Sequence, residues 1–310
     1  MTHASKRLPR FSRGDTSPNF SITERDVEIL REIARHRFIR STHISQLVAG
    51  SHKKICERLT YLFHAGYVDR PPAQLDYHVR GGGSTPIIYA LGNRGARLLN
   101  EHEPIVRNCT NWSKKNRDAG REFILHTLAI TDFDVGLVRS CKLHRELTLL
   151  DQDRLRSSAP VEADRETLWR WRVTVHYRGM SKQIGILPDY VFAIMLADGR
   201  RRPFVVECDR GTMPVARNSL DQTSMLRKFL AYEAARSQRL PETHCGWKNF
   251  RVLVVTSSIE RIAHMQTVIN QQPQLRSSPL FLFAQHDTLM SSDVCTYAWL
   301  DTEGNNCSLT

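Results

Sequence analysis

The residues of this chain best suited to chemistry are acids at the ends of two apolar runs. Asp189 follows Pro188 and precedes Tyr190-Val191-Phe192-Ala193-Ile194, and Glu207-Cys208-Asp209 closes Phe204-Val205-Val206. Carboxylates brought onto one sheet face can hold a hard divalent cation, whereas carboxylates at a hairpin end can equally make turn hydrogen bonds, with Asp209 capping Arg210-Gly211-Thr212. Both readings stand on the sequence alone.

Which applies depends on the strands. The two runs, Tyr190 to Leu196 and Phe204 to Cys208, are short, apolar and joined through Ala197-Asp198-Gly199-Arg200, which predicts a hairpin. A two-residue Asp198-Gly199 turn would put Asp189 and Glu207 on opposite faces. A three-residue Asp198-Gly199-Arg200 loop with an adjoining bulge would put Asp189, Glu207 and Asp209 on the same face. Upstream, Trp169, Trp171, Val173, Val175 and Tyr177 alternate with Arg170, Arg172, Thr174 and His176, the period of a half-buried strand whose outer face is either solvated or lines a nucleic-acid channel. Leu147 to Leu150 reads as a first strand. Downstream, a helix from about Ser219 to Arg236, a strand from Val252 to Thr256, a helix around Ile259 to Ile269 and a strand from Leu280 to Phe283 complete an α/β (α+β) pattern with a mixed sheet.

The first hundred residues have a different character. Thr23 or Ser21 can cap a helix carrying Val27, Leu30, Ile33 and Ala34 at helical spacing. A second short helix starts at Ser41 or Thr42 and ends at Gly50, and a third runs from about Ser51 to Ala65 and stops at Gly66. In the third, Ile55, Leu59, Leu62 and Phe63 share one face, and His52, Lys53, Lys54, Glu57 and Arg58 lie on or beside the other. Two strands then flank the loop Arg80-Gly81-Gly82-Gly83-Ser84. Residues 1–100 hold 16 basic and 8 acidic side chains, which accounts for most of the +12 net charge and points to a polyanionic partner at this end of the chain.

Residues 20–103 therefore resemble a winged helix-turn-helix domain. That resemblance implies double-stranded DNA as partner, with His52, Lys53, Lys54, Glu57 and Arg58 facing the major groove and Arg80 contacting phosphate from the wing. A protein-interaction winged helix is the alternative. Residues 1–19, with Lys6, Arg7, Arg10 and Arg13, read as a basic disordered arm, and residues 104–120 as a linker. Residues 121–310 resemble the PD-(D/E)xK nuclease superfamily, a restriction-endonuclease-like fold. The resemblance implies that Asp189 and Glu207 hold Mg²⁺ or Mn²⁺, with Asp209 as a third acid, and that a lysine two residues beyond the second acid orients the attacking water. Asp209 occupies that lysine's position, and Arg210 cannot act as a base because it stays protonated. Lys228 is the candidate for a relocated lysine, giving Asp189, Glu207 and Lys228 as the catalytic set.

Taken together, the segments HTLAI at His126, PDYVF at Pro188, VVECDRGT at Val205, KFLAY at Lys228 and VLVVT at Val252 resemble the replication-relaxation family of plasmid and mobile-element proteins. The resemblance implies a DNA-binding protein of plasmid replication and relaxation, with replication or mobilisation proteins as partners and homodimer formation as an option. A metal-dependent DNA endonuclease and a winged-helix transcriptional regulator are the alternatives. No apolar run approaches the roughly 18 residues of a membrane span, and the amino-terminal stretch lacks the apolar core of a signal peptide, so a cytoplasmic, membrane-free protein is expected. The seven cysteines form no CxxC pair, which argues against a cysteine-based zinc site.

Overall fold

Thr23 decides where the first helix begins. In a computed structural model of the chain, its side chain accepts from the Asp26 backbone N–H while its own N–H donates to the Asp26 carboxylate at 2.8 Å, a capping box at the start of α1 (Glu24–His36). The described residues are 10–13, 20–75, 85–102, 111–160, 164–165 and 167–310. They fall into two compact units, 1–135 and 136–310.

In the first unit α1 is followed by β1 (Ile39–Arg40), α2 (Ser41–Leu47), α3 (His52–His64), β2 (Val68–Asp69), a 3-10 turn (Pro72–Gln74), β3 (Ile88–Leu91), α4 (Asn93–His102) and α5 (Trp112–Arg117). The strands form a small antiparallel sheet in the order β1-β3-β2. Ile29, Leu30 and Ile33 of α1, Ile44 of α2, and Ile55, Leu59 and Leu62 of α3 meet in one buried core. Ser51 caps α3, and Gly66 ends it at φ +80°, a left-handed conformation that glycine adopts without a Cβ penalty. Arg80 and the glycine-rich loop, together with Lys6 and Arg7, lie outside the described residues.

The expected linker is in part core. Within residues 104–120, α5 inserts Trp112 into the core of the first unit, and the buried Asn116 donates at 2.8 Å to both the Asp69 carboxylate and the Leu91 carbonyl. A six-residue helix with one inward tryptophan and one inward asparagine is too short to show an apolar period. The next helix, α6 (Arg121–Leu143), spans the division between the units, so the boundary falls at Val135/Gly136 and not at the start of the helix.

The second unit continues with β4 (Thr148–Leu150), α7 (Gln152–Ser157), β5 (Trp171–Tyr177), β6 (Met180–Ile186), β7 (Tyr190–Met195), β8 (Arg201–Asp209), α8 (Met225–Ser237), α9 (Leu240–Cys245), β9 (Arg251–Thr256), α10 (Ile259–Asn270), β10 (Phe281–Gln285), α11 (His286–Met290), β11 (Trp299–Leu300) and β12 (Asn306–Cys307). Its sheet is mixed, in the order β12-β11-β10-β9-β8-β7-β4, with β8, β9 and β10 parallel and the remaining pairs antiparallel. The chain as a whole is thus α+β. α8 starts at Met225, six residues later than expected, because Ser224 supplies the cap. β5 and β6 form a separate two-stranded ribbon. The six described cysteines are free thiols, and the sulfurs of Cys141 and Cys295 lie 3.7 Å apart. No described helix is long and apolar enough to cross a membrane.

Candidate carboxylate–lysine site and nucleic-acid interface

The β7–β8 hairpin fixes the geometry of the acids. Leu196 and Arg200 close it through a 2.9 Å hydrogen bond from Leu196 N–H to the Arg200 carbonyl, leaving Ala197, Asp198 and Gly199 in the loop, with Gly199 at φ +80°. The loop has three residues, as a shared face requires, but it sits one residue earlier than Asp198-Gly199-Arg200. The shift preserves parity. Tyr190 pairs with Val206, and the register carried one residue further brings Asp189 level with Glu207; Asp189 N–H donates to the Val206 carbonyl at 3.1 Å. Residues directly opposed on antiparallel strands project to one face.

Glu207 is 2% exposed. One of its oxygens accepts from the Lys228 ammonium and the other from the Tyr232 hydroxyl. Both donors come from α8, where positions four apart lie on one helix face. Burial pushes the Glu207 carboxyl up to about 7, with Asp189 adding to the rise and Lys228 opposing it. Burial works against the Lys228 charge, but Glu207, Asp189 and Asp209 outweigh it and hold the ammonium above its ordinary value. Burial raises the Tyr232 hydroxyl well above its usual range, so it is a donor at neutral pH. Asp189 in turn accepts from the Cys208 backbone N–H at 2.9 Å.

Asp209 does not join this pair as a third cation ligand. Its oxygens accept from the Thr256 hydroxyl at 2.6 Å, from Nη2 of Arg261 at 2.9 Å and from Nε of the same arginine. It also accepts from the Gly211 N–H at 3.3 Å, the turn bond anticipated for a hairpin end. The expected triad of Asp189, Glu207 and Asp209 is therefore replaced by a pair and a separate Asp209–Arg261 ion pair. Among the described residues no group of three or more His, Cys, Asp and Glu side chains is disposed to hold a metal ion. As arranged, the donor set does not fit a hard dication, which seeks several oxygen ligands. Both Glu207 oxygens are already bonded, and Lys228 already supplies a cation there.

On the first unit, His52, Lys53, Lys54 and Glu57 are exposed on α3. Lys53 and Lys54 make no ion pair among the described residues. Arg58 is placed otherwise. Its Nε donates to Asp26 at 2.8 Å and its Nη2 to the Ser21 carbonyl at 2.9 Å, and the guanidinium lies 5.0 Å from the Phe20 ring centroid. Arg58 thus secures the buried capping acid of α1 instead of facing a groove. Sequence reasoning missed Tyr232 and Arg261. Tyr232 had a signal, its i+4 spacing from Lys228; Arg261 had none, since the fold alone brings it to Asp209.

A family model described as replication-relaxation matches residues 30–247, a span that contains α3, Asp189, Glu207 and Lys228. Neither the curated proteins nor the solved structures provide a match to the chain.

Proposed function

The chain belongs to the replication-relaxation family, and from this premise we propose that it is a DNA-binding protein acting in replication or relaxation of plasmid or other mobile-element DNA. The first unit docks duplex DNA as a winged helix-turn-helix, with α3 in the major groove. One observation carries this reading: His52, Lys53 and Lys54 stand exposed together on the first turn of α3, while Ile55, Leu59 and Leu62 fix the opposite face in the core. Partners suited to the role are replication or mobilisation proteins and a second copy of the chain.

The test is binding of the full chain to duplex DNA across a salt series. Lys53→Ala with Lys54→Ala should flatten the slope of log K against log salt by about two and leave the melting temperature unchanged. An unchanged slope would remove α3 from the interface.

A second reading, a divalent-metal-dependent DNA endonuclease, is favoured by one specific observation, the placement of Asp189 opposite Glu207 with Lys228 delivered from the following helix. It requires Lys228 to release Glu207 when Mg²⁺ or Mn²⁺ arrives. Supercoiled plasmid incubated with either ion and the protein tests it: nicking that disappears in Lys228→Ala supports the enzyme, and intact plasmid with both ions excludes it.

A further inference from the structure

The net positive charge of the second unit falls mostly in one stretch of its sequence. Residues 136–310 hold 23 basic and 18 acidic side chains, and residues 167–188 contain four of the basic ones and none of the acidic ones. Outside that stretch the unit is nearly balanced. Residues 171–186 build the β5–β6 ribbon, whose strands pair from Trp171↔Ile186 to Tyr177↔Met180 through the two-residue turn Arg178-Gly179. Both turn residues have positive φ, +49° and +76°, as the tight turn of a twisted hairpin requires.

The alternation along the ribbon separates its two faces. Trp171, Val173, Val175, Tyr177, Ile184 and Ile186 are buried in the same core as Phe229 and Tyr232 of α8, so the ribbon is anchored on the helix that carries Lys228. The outer face presents Arg172 opposite Gly185, Thr174 opposite Gln183 and His176 opposite Ser181, with Arg170 and Arg178 at its two ends. Arg170 and Arg172 are exposed and make no ion pair among the described residues. Nothing lies within 4 Å of where a Gly185 side chain would begin, which leaves a flat ledge beside Arg172.

The outer edge of β5 is occupied at its middle. The Gln238 side chain accepts from Thr174 N–H at 3.3 Å and donates to the Thr174 carbonyl at 2.7 Å, closing the open side of β5 there. The outer face stays exposed at Arg170, Arg172 and His176. The end of the ribbon holding Arg170 and Arg172 runs through Leu187 and Pro188 directly into Asp189, opposite Glu207.

We infer that the outer face of the β5–β6 ribbon is a second DNA contact, in which Arg170 and Arg172 grip the phosphodiester backbone at the end leading to the carboxylate–lysine site and Arg178 grips it at the far end. It rests on the proposed DNA-binding role and adds a contact surface in the second unit. Lys182, opposite Val175, is paired with Asp221 and leaves the outer face to the arginines; their charge is local, held rigid from behind and continuous with the acids, which is the arrangement a backbone clamp needs.

The experiment compares the full chain with two triple variants in binding to duplex and to single-stranded oligonucleotides across a salt series, with hydroxyl-radical footprints on the duplex. Arg170→Ala, Arg172→Ala and Arg178→Asn together should lower the salt slope by about two to three, weaken binding about tenfold or more at 0.15 M salt, and erase one patch of protection while that of α3 persists. Asparagine at 178 tolerates the left-handed turn. The triple lysine variant should retain slope and footprint, which separates charge from folding. Loss confined to the duplex or to the single strand supports the contact and identifies the bound form. Wild-type binding with an unchanged slope and footprint in the alanine variant overturns the ribbon contact alone; no binding by the wild type overturns the DNA-binding role and the ribbon contact with it.

Discussion

A carboxylate as buried as Glu207 stays charged only where other groups replace the water it has lost, and Lys228 and Tyr232 do so from one face of α8. The compensation is incomplete, since the group sits at about 7 against 4.5 for a free glutamate. Between those values the folded chain holds a proton that the unfolded chain has released, so stability falls as pH rises from about 4.5 to about 7. Glu207→Gln should remove that part of the pH dependence in urea unfolding; an identical slope in the variant would show that Glu207 does not titrate there. Lys228, raised rather than lowered, contributes no change in this window, because its stabilisation is lost only as pH climbs from the ordinary lysine value of 10.5 through its own higher one. Removing it exposes the underlying cost. Lys228→Met should destabilise by about 3 kcal/mol at pH 8, where it strands a buried anion, and far less at pH 5, where Glu207 takes up a proton. Equal losses at both pH values would mean that Lys228 acts through packing. The facing of Asp189 and Glu207 was only half legible in the sequence, which allowed a two-residue turn as well as a three-residue loop; once the loop has three residues, strand parity is fixed wherever in the connection it sits. The separation of Asp209 was not legible, because residue i+2 shares a face with Glu207 in any strand and it is Thr256 and Arg261, 47 and 52 residues on, that engage its carboxylate.

At the scale of elements, α3 divides its basic residues between two tasks that the sequence pattern did not distinguish. Lys53 and Lys54 point outward, whereas Arg58, one turn on, bonds to an Asp26 with no exposed surface. Arg58→Ala should therefore cost about 2–3 kcal/mol of first-unit stability by leaving Asp26 buried without its cation, and any effect on DNA affinity should follow that loss. The lysine pair should show the converse, a large change in affinity with stability within about 0.5 kcal/mol. Thermal melting of the two variants beside their salt slopes separates the roles, and an Arg58→Ala protein of wild-type stability would contradict the assignment. The positions of α1 and α3 were readable from caps and apolar spacing, because Thr23, Ser51 and Gly66 act locally, whereas α5 was not. β6 was not readable. Of Met180–Ile186 only Ile184 and Ile186 are buried, so the alternation covers half the strand, and its pairing with β5 supplies the rest.

For the whole molecule, the division between the units falls inside a continuous helix, and this has consequences for how the chain can be cut. Up to Val135, α6 belongs to the first unit. Ile124 and Leu128 pack with Phe38, Ile88 and Ala90. Thr131 donates to the Phe38 carbonyl at 3.0 Å, Asp132 lies 2.8 Å from Nε2 of His43 and also pairs with Arg40, and Asp134 lies 2.7 Å from Nε2 of the buried His36. A cut at the polar stretch before Arg121, where composition suggests a linker, would remove Ile124 and Leu128 from that cluster, each contributing roughly 1.5–3 kcal/mol, together with the partners of two buried histidines. Those losses are comparable with the roughly 5–15 kcal/mol that holds a domain folded. A fragment of residues 10–143, which keeps the helix whole, should unfold cooperatively in urea and bind duplex DNA through α3. A fragment of residues 10–120 should show a broad, low-amplitude transition and bind far more weakly. If the shorter fragment unfolds at the same urea concentration as the longer one, then α6 is an external connector and the histidine–aspartate contacts contribute nothing to the first unit.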